Sequence, residues 1–93
     1  MPTTLTQTEK INLKEKGYSV ADLREIKDSI KYTTYHLIHP NGKKEEISET
    51  KAIELLGREE WLKGLSRSAF YTETNRWGLN GERINMHTRN YSR

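Results

Sequence analysis

Residues 47–71 read ISETKAIELLGREEWLKGLSRSAFY, and this stretch decides the fold. Ser48 is a good helix N-cap, because its hydroxyl can accept a hydrogen bond from a free N–H of the first turn. Glu49 follows where the helix dipole favours a negative charge. Ala52, Ile53, Leu55 and Leu56 supply apolar residues, and Gly57 stands where a helix-ending glycine would. Beyond it, residues 58–71 are helical again, with Trp61, Leu62, Leu65 and Ala69 recurring at steps of three and four on one face. The apolar stripes on either side of Gly57 are out of phase, so two helices meeting at an angle are expected rather than one kinked helix. Glu59 and Lys63 form an i,i+4 pair in the favourable order. Gly64 and Ser68, one turn apart, are small enough to let another element pack close.

Upstream, Thr6-x-x-Glu9 has capping-box form and opens a short polar helix carrying Ile11 and Leu13, stopped by Gly17. Ser19-x-x-Asp22 opens a second helix with Val20, Leu23, Ile26 and Ile30 at helical spacing. The pair reads as a helical hairpin turning at Gly17-Tyr18-Ser19. A DNA-reading helix-turn-helix is disfavoured, because Asp22, Glu25 and Asp28 accompany Arg24 and Lys27 on the second helix. Residues 31–40 then change period, with Tyr32, Thr33, Thr34, Tyr35, His36, Leu37 and Ile38 all favouring strand. Asn41-Gly42 predicts a two-residue hairpin turn leading into a second strand at 43–47. Tyr35 and Leu37 share one face, and Thr34, His36 and Ile38 the other, so helices should cover one side only. Asn80-Gly81 predicts a second hairpin, with Trp77 and Leu79 on one face of its first strand and Ile84 and Met86 on one face of its second. The expected core is Leu23, Ile26, Ile30, Leu37, Ile53, Leu56, Leu62, Leu65 and Ala69, with Trp61 and Trp77 at its edges.

The fold class is therefore α+β: an N-terminal helical hairpin, a β-hairpin, a central helix pair and a C-terminal β-hairpin with a basic tail. Ninety-three residues make a single small domain, 1–93, with 1–5 and 88–93 expected as flexible tails. There is no cysteine, so neither a disulfide nor a thiolate zinc site staples it. No apolar run approaches the roughly 20 residues that span a bilayer, and the polar start is unlike a signal peptide. A soluble, cytoplasmic protein with no membrane partner is expected, and the sequon Asn90-Tyr91-Ser92 is read as chance.

Net charge is +3, and its distribution is uneven. Residues 1–66 hold 11 Lys+Arg and 11 Asp+Glu, whereas residues 67–93 hold five arginines, no lysine and two acids. Arginine presents a planar fork that matches phosphate, carboxylate and aromatic faces. Arg67, Arg76, Arg83, Arg89 and Arg93 alternate with Phe70, Tyr71, Trp77 and Tyr91. Such a set can neutralise phosphates and stack on unpaired bases, or supply the arginine and aromatic anchors of a protein interface. The plainer alternative is that these arginines are solvated and pair with Glu60, Glu73 and Glu82. Arg67, Tyr71, Arg76, Trp77, Arg83 and Arg89 are the candidate contact residues.

Catalytic patterns fail on inspection. Gly64-Leu65-Ser66-Arg67-Ser68 lacks the closing glycine of a nucleophile elbow and lies inside a helix. Gly42-Lys43-Lys44 lacks the preceding glycine and following hydroxyl of a phosphate loop. His36 and His39 would point to opposite faces of a strand, and no metal-ligand spacing stands out. No enzyme activity, metal or cofactor is expected.

The run Ile53-Glu54-Leu55-Leu56-Gly57-Arg58-Glu59-Glu60-Trp61-Leu62, followed by Leu65-Ser66-Arg67-Ser68-Ala69-Phe70, resembles short accessory proteins carried by phages and conjugative elements of Gram-positive bacteria. Lys16-Gly17-Tyr18-Ser19 is similar in flavour. The resemblance covers the central part of the chain and carries no catalytic motif. Some small proteins of this kind inhibit host defence, anti-CRISPR proteins among them, so it implies a non-enzymatic inhibitor of a host nucleoprotein effector. Many nuclease inhibitors are acidic mimics of DNA, and this chain is basic. The implied partner is thus the effector protein, through an acidic patch, or its bound RNA. Direct binding of RNA or DNA as an accessory protein is the alternative.

Overall fold

Two capping boxes start the chain's helical half. Thr6 Oγ1 accepts from Glu9 N at 3.1 Å while Glu9 Oε1 accepts from Thr6 N at 2.8 Å, opening α1 (Gln7–Glu15). Ser19 and Asp22 repeat the exchange at 3.1 and 2.9 Å and open α2 (Val20–Ser29). Each box satisfies two backbone donors that a helix start leaves free. The computed structural model describes residues 5–89. After one 3-10 turn, the hairpin of β1 (Thr33–Ile38) and β2 (Lys44–Ile47) leads to α3 (Glu49–Leu56) and α4 (Arg58–Tyr71). The last hairpin is β3 (Glu73–Trp77) and β4 (Arg83–Thr88). Among the described residues the fold is α+β, with four α-helices and one antiparallel sheet of order β2-β1-β4-β3.

The two hairpins thus join along β1 and β4, and the α3–α4 pair crosses one face from the β2 edge to the β3 edge. Gly57 separates those helices at φ 84°, a backbone that favours glycine, and serves as the last residue of one cap and the first of the next. The expected two-helix reading of residues 47–71 holds. The cross-strand register places Thr33, Tyr35 and Leu37 beside Thr88, Met86 and Ile84 on the helix-covered face. There Tyr35, Ile84 and Met86 meet Ala52, Leu56, Trp61, Leu62, Leu65 and Ala69, while Leu23, Ile26 and Ile30 of the hairpin region complete the core. Gly64 and Ser68 do admit a close neighbour, and it is β4. A Cβ on Gly64 would lie 2.5 Å from Met86 Sδ, and Ser68 Oγ is 2.7 Å from Thr88 Oγ1.

Several expectations need correction. Trp61 is not at the core edge but fully buried, because its position on α4 faces the sheet rather than its rim. Trp77 is 60% exposed, because β3 turns it to the face that no helix covers. Leu37 and Ile53 are only partly buried, whereas Leu5, Leu13, Tyr35, Ile84 and Met86 belong to the core. Leu79 lies in the turn, outside β3, and shares no strand face with Trp77.

Neither hairpin uses a two-residue turn. His39 N donates to Lys43 O and Gly78 N donates to Glu82 O, closing three-residue loops over Pro40-Asn41-Gly42 and Leu79-Asn80-Gly81. Both glycines take the third loop position, at φ 89° and 87°. This is the type I turn followed by a left-handed residue, which makes the Asn-Gly pair end the loop rather than span it. The expected tails are also shorter. Leu5 is buried, and β4 runs through Thr88, whose side chain is buried, because both find partners in the core. Residues 1–4 and 90–93, with Arg93, Tyr91 and the sequon, lie outside the described residues.

Candidate functional site

Period-two alternation in the strands divides the candidate residues. β3 puts Thr74 and Arg76 toward the helices, and Glu73, Asn75 and Trp77 toward the uncovered face. Adjacent strand residues always part in this way. Arg76 and Trp77 therefore cannot serve one flat surface, and the expectation of a single six-residue contact surface is corrected to separate patches.

The uncovered sheet face carries three cross-strand rows. One runs Lys44, Ile38, Arg83, Trp77. The next runs Glu46, His36, Asn85, Asn75, and the third Thr34, His87, Glu73. Asn85 lies at the centre and is buried among its neighbours, its Nδ2 donating to Glu73 Oε1 at 2.8 Å and to Asn75 Oδ1 at 3.1 Å. These bonds fix the middle of the face. Trp77 and Arg83, directly opposite each other, remain at its corner, and no ion pair recorded among the described residues involves Arg83. Glu82, named as a local counter-charge, instead accepts from Asn80 N at 3.0 Å inside the turn.

Arg67 and Tyr71 form a second pair on α4. The Arg67 guanidinium lies 4.9 Å from the Tyr71 ring centroid, a cation–π arrangement, and Tyr71 is 68% exposed. Arg67 borders a groove between α1 and α4 that Lys16, Arg58, Lys63 and Arg76 also line, together with Glu9, Glu15 and Glu59. Most of those charges are already matched. Arg58 donates from Nε and Nη2 to Glu9 at 2.7 and 3.0 Å and lies over the Trp61 ring at 5.2 Å. Arg76 donates from Nη1 to Glu60 at 3.1 Å, and its stem packs beside Gly64. Arg76 thus follows the plainer alternative of local pairing and helps to hold β3 on α4.

Arg89 follows the far end of β4, where its N–H donates to Tyr32 O at 2.9 Å. The six-residue strand places it about 20 Å from Arg83. Of the six candidates, then, the structure brings together Trp77 with Arg83 and Arg67 with Tyr71. It sets Arg76 in the fold and Arg89 apart. Sequence reasoning missed Lys44, Asn75, Asn85 and His36 as residues that share the open face with Trp77, although strand alternation could have found them once β1 and β4 were paired.

His39 Nε2 meets Glu45 Oε1 at 2.9 Å across the first hairpin. Among the described residues, no group of three or more His, Asp or Glu side chains is placed to hold a metal ion. Likewise among them, no helix is long and apolar enough to cross a membrane. Compared with known proteins, the chain matches no family model, no curated protein and no solved structure.

Proposed function

We propose that the chain is a non-enzymatic binding module of a mobile genetic element, acting in the cytoplasm as an inhibitor of a host nucleoprotein effector. The observation that carries the binding reading is the Trp77–Arg83 pair. A tryptophan 60% exposed stands directly across from an arginine that lacks a recorded ion-pair partner, on a sheet face left open by every helix. Exposing an indole forgoes its burial, and tryptophan and arginine are both enriched among the hot-spot residues of interfaces. Arg67 with Tyr71 offers a second anchor of the same kind. The inhibitor role and the mobile element rest on the resemblance of residues 53–70 alone.

Direct binding of single-stranded RNA or DNA is the second reading, and one observation favours it. The row Lys44, Ile38, Arg83, Trp77 lays two cations and a ring across an antiparallel sheet, where a base can stack and phosphates can be neutralised.

A pull-down from bacterial lysate with wild type and with W77A/R83E, with and without nuclease, separates the readings. The inhibitor reading expects a protein partner that survives nuclease and is lost in the variant. Capture of nucleic acid alone, abolished by nuclease, establishes the second reading. Equal capture by both proteins overturns this face as the contact. Arg76 is left unchanged, because reversing it would set a carboxylate against Glu60 and test folding instead.

A further inference from the structure

The opposite end of the molecule carries a second surface, of different chemistry. α1 and α2 lie side by side, and between them runs a recess of about 280 Å³. Leu5 and Leu23 form its buried floor, while Ile11 and Val20 on its walls remain 47% and 62% exposed. The polar lining holds Lys10, Lys14, Arg24 and Lys27, with no carboxylate among the described lining residues. None of the four cations takes part in an ion pair recorded among the described residues.

This concentration of charge is invisible in the composition, since residues 1–66 are neutral in sum. It arises because none of the hairpin's five acids, Glu9, Glu15, Asp22, Glu25 and Asp28, lines the recess. Glu9 closes the first capping box and binds Arg58, Asp22 closes the second, and Glu15 lines the groove on the other side of α1. Lys10 and Lys14 are four apart on one helix, and Arg24 and Lys27 three apart on the next. Like charges at these spacings destabilise a helix. The fold therefore holds two unfavourable features at one place, unpaired cations and exposed aliphatic side chains, and a single kind of ligand relieves both.

We propose that the α1–α2 recess is a docking site for an acidic amphipathic helix of a partner protein. Such a helix lays apolar side chains at i, i+3, i+4 and i+7 into a hydrophobic groove. Aspartates and glutamates flanking that stripe meet the four rim cations, and the charge match speeds encounter as well as fixing register. The recess is concave, so it receives side chains rather than inserting its own into a bilayer, where bulky Trp, Phe and Leu are the usual probes. Its described lining contains no aromatic ring on which an unpaired base would stack. The acidic helix fits better than a membrane or a nucleic acid.

The test is a titration of the isotope-labelled full chain, followed by NMR. The probe is a synthetic helical peptide with leucines at i, i+3, i+4 and i+7 flanked by glutamates. The expected result is saturable binding with shifts confined to α1 and α2. K14E/R24E should weaken it about tenfold, the scale of two exposed charge pairs turned repulsive. V20D should weaken it while the helix stays folded, since aspartate suits the first turn. W77A/R83E should leave it unchanged, which keeps this result separate from the reading of the open sheet face. The same peptide with lysine for glutamate, phosphatidylserine vesicles and a single-stranded oligonucleotide are the competing probes. No saturable binding of the acidic peptide overturns the proposal. So does equal binding of the lysine peptide, full affinity in K14E/R24E, or tighter binding of vesicles or oligonucleotide with the same dependence on these variants.

Discussion

Trp61 Nε1 donates to Tyr35 Oη at 3.0 Å, with both side chains buried, and this bond fastens α4 to the centre of the sheet. Tyr35→Phe would leave the indole N–H without its acceptor in a closed core. A loss of about 1–3 kcal/mol is expected at neutral pH, read by chemical denaturation. Burial pushes the Tyr35 hydroxyl from 10.0 up to about 12; the bond from Trp61 opposes this and the Glu49 carboxylate adds to it. The folded state therefore keeps a proton that the unfolded state has lost between those values. The stabilisation is complete below pH 10 and declines as pH rises toward 12, by roughly 3 kcal/mol at most. The stability difference between wild type and Y35F should shrink over that interval, while their shared lysine titration cancels.

Glu9 gives the matching prediction on the acid side. Burial alone would raise its carboxyl, but the hydrogen bonds from Arg58 and Thr6, with the Arg58 charge, outweigh that and hold it below its usual value. Its contribution is present above about pH 4.5, its unfolded value, and is lost as pH falls through the lower folded value. Glu9→Gln weakens both the cap and the two Arg58 bonds, and a cost of about 1–2 kcal/mol at pH 7 is expected. Acid denaturation profiles of wild type and E9Q should converge at low pH. A gap that persists unchanged would show that Glu9 acts through packing alone.

Much of this was legible in local sequence chemistry. Thr6, Ser19 and Ser48 cap helices as their neighbours demand, and Gly17 and Gly57 end them, because these signals act within one turn of chain. What was not legible depended on pairing between distant segments. Trp61 and Trp77, both expected at the core edge, part to the core centre and to the open face, because burial of each is decided by which face of the sheet it meets. The arginines of the C-terminal region looked like one set in sequence, yet Arg76 and Trp77 are neighbours that must point apart on a strand. The rim of Lys10, Lys14, Arg24 and Lys27 was hidden for a different reason: net charge counts acids that capping boxes have already turned away.

Gly64→Ala tests the close approach of α4 to the sheet. Alanine gains about 1 kcal/mol of helix propensity over glycine. Its Cβ, however, would sit 2.5 Å from Met86 Sδ and 3.0 Å from Arg76 Cγ. Met86 is fully buried and has little space to yield, so overpacking of about 1–3 kcal/mol should prevail. A melting temperature lowered in G64A is expected, and one raised would show that Met86 repacks freely. G64A with Met86→Ala should recover part of the loss, since the two substitutions act on one contact.

Trp77→Ala and Arg83→Glu, by contrast, should leave stability within about 0.5 kcal/mol of wild type, as for exposed positions outside caps and cores. Thermal melts of the two single variants check this directly. Were either to unfold the protein, loss of partner capture in W77A/R83E would no longer report on the surface.

A chain of hydroxyls crosses the molecule beneath that sheet. Thr33 Oγ1 donates to Ser29 O at 2.7 Å, at the end of α2. Its oxygen is then free to accept from Thr88 Oγ1, also at 2.7 Å, and Thr88 in turn can accept from Ser68 Oγ at 2.7 Å. Proton counting allows this direction, since each hydroxyl has one hydrogen, Thr33's goes to a carbonyl, and Ser68's is shared between Thr88 and Leu65 O. α2, β1, β4 and α4 are thereby linked through Thr88, which is buried in the middle. Thr88→Val keeps the shape and removes the shared oxygen. Thr33 loses a donor, but Ser68 still has Leu65 O at 3.1 Å for its proton. The expected cost is about 1–3 kcal/mol, close to one unmet buried polar group rather than two. In a double-mutant cycle, Ser68→Ala should then cost less in T88V than in wild type, because its cross-element partner is already gone. Equal costs in both backgrounds would mean that Ser68 acts through Leu65 O alone.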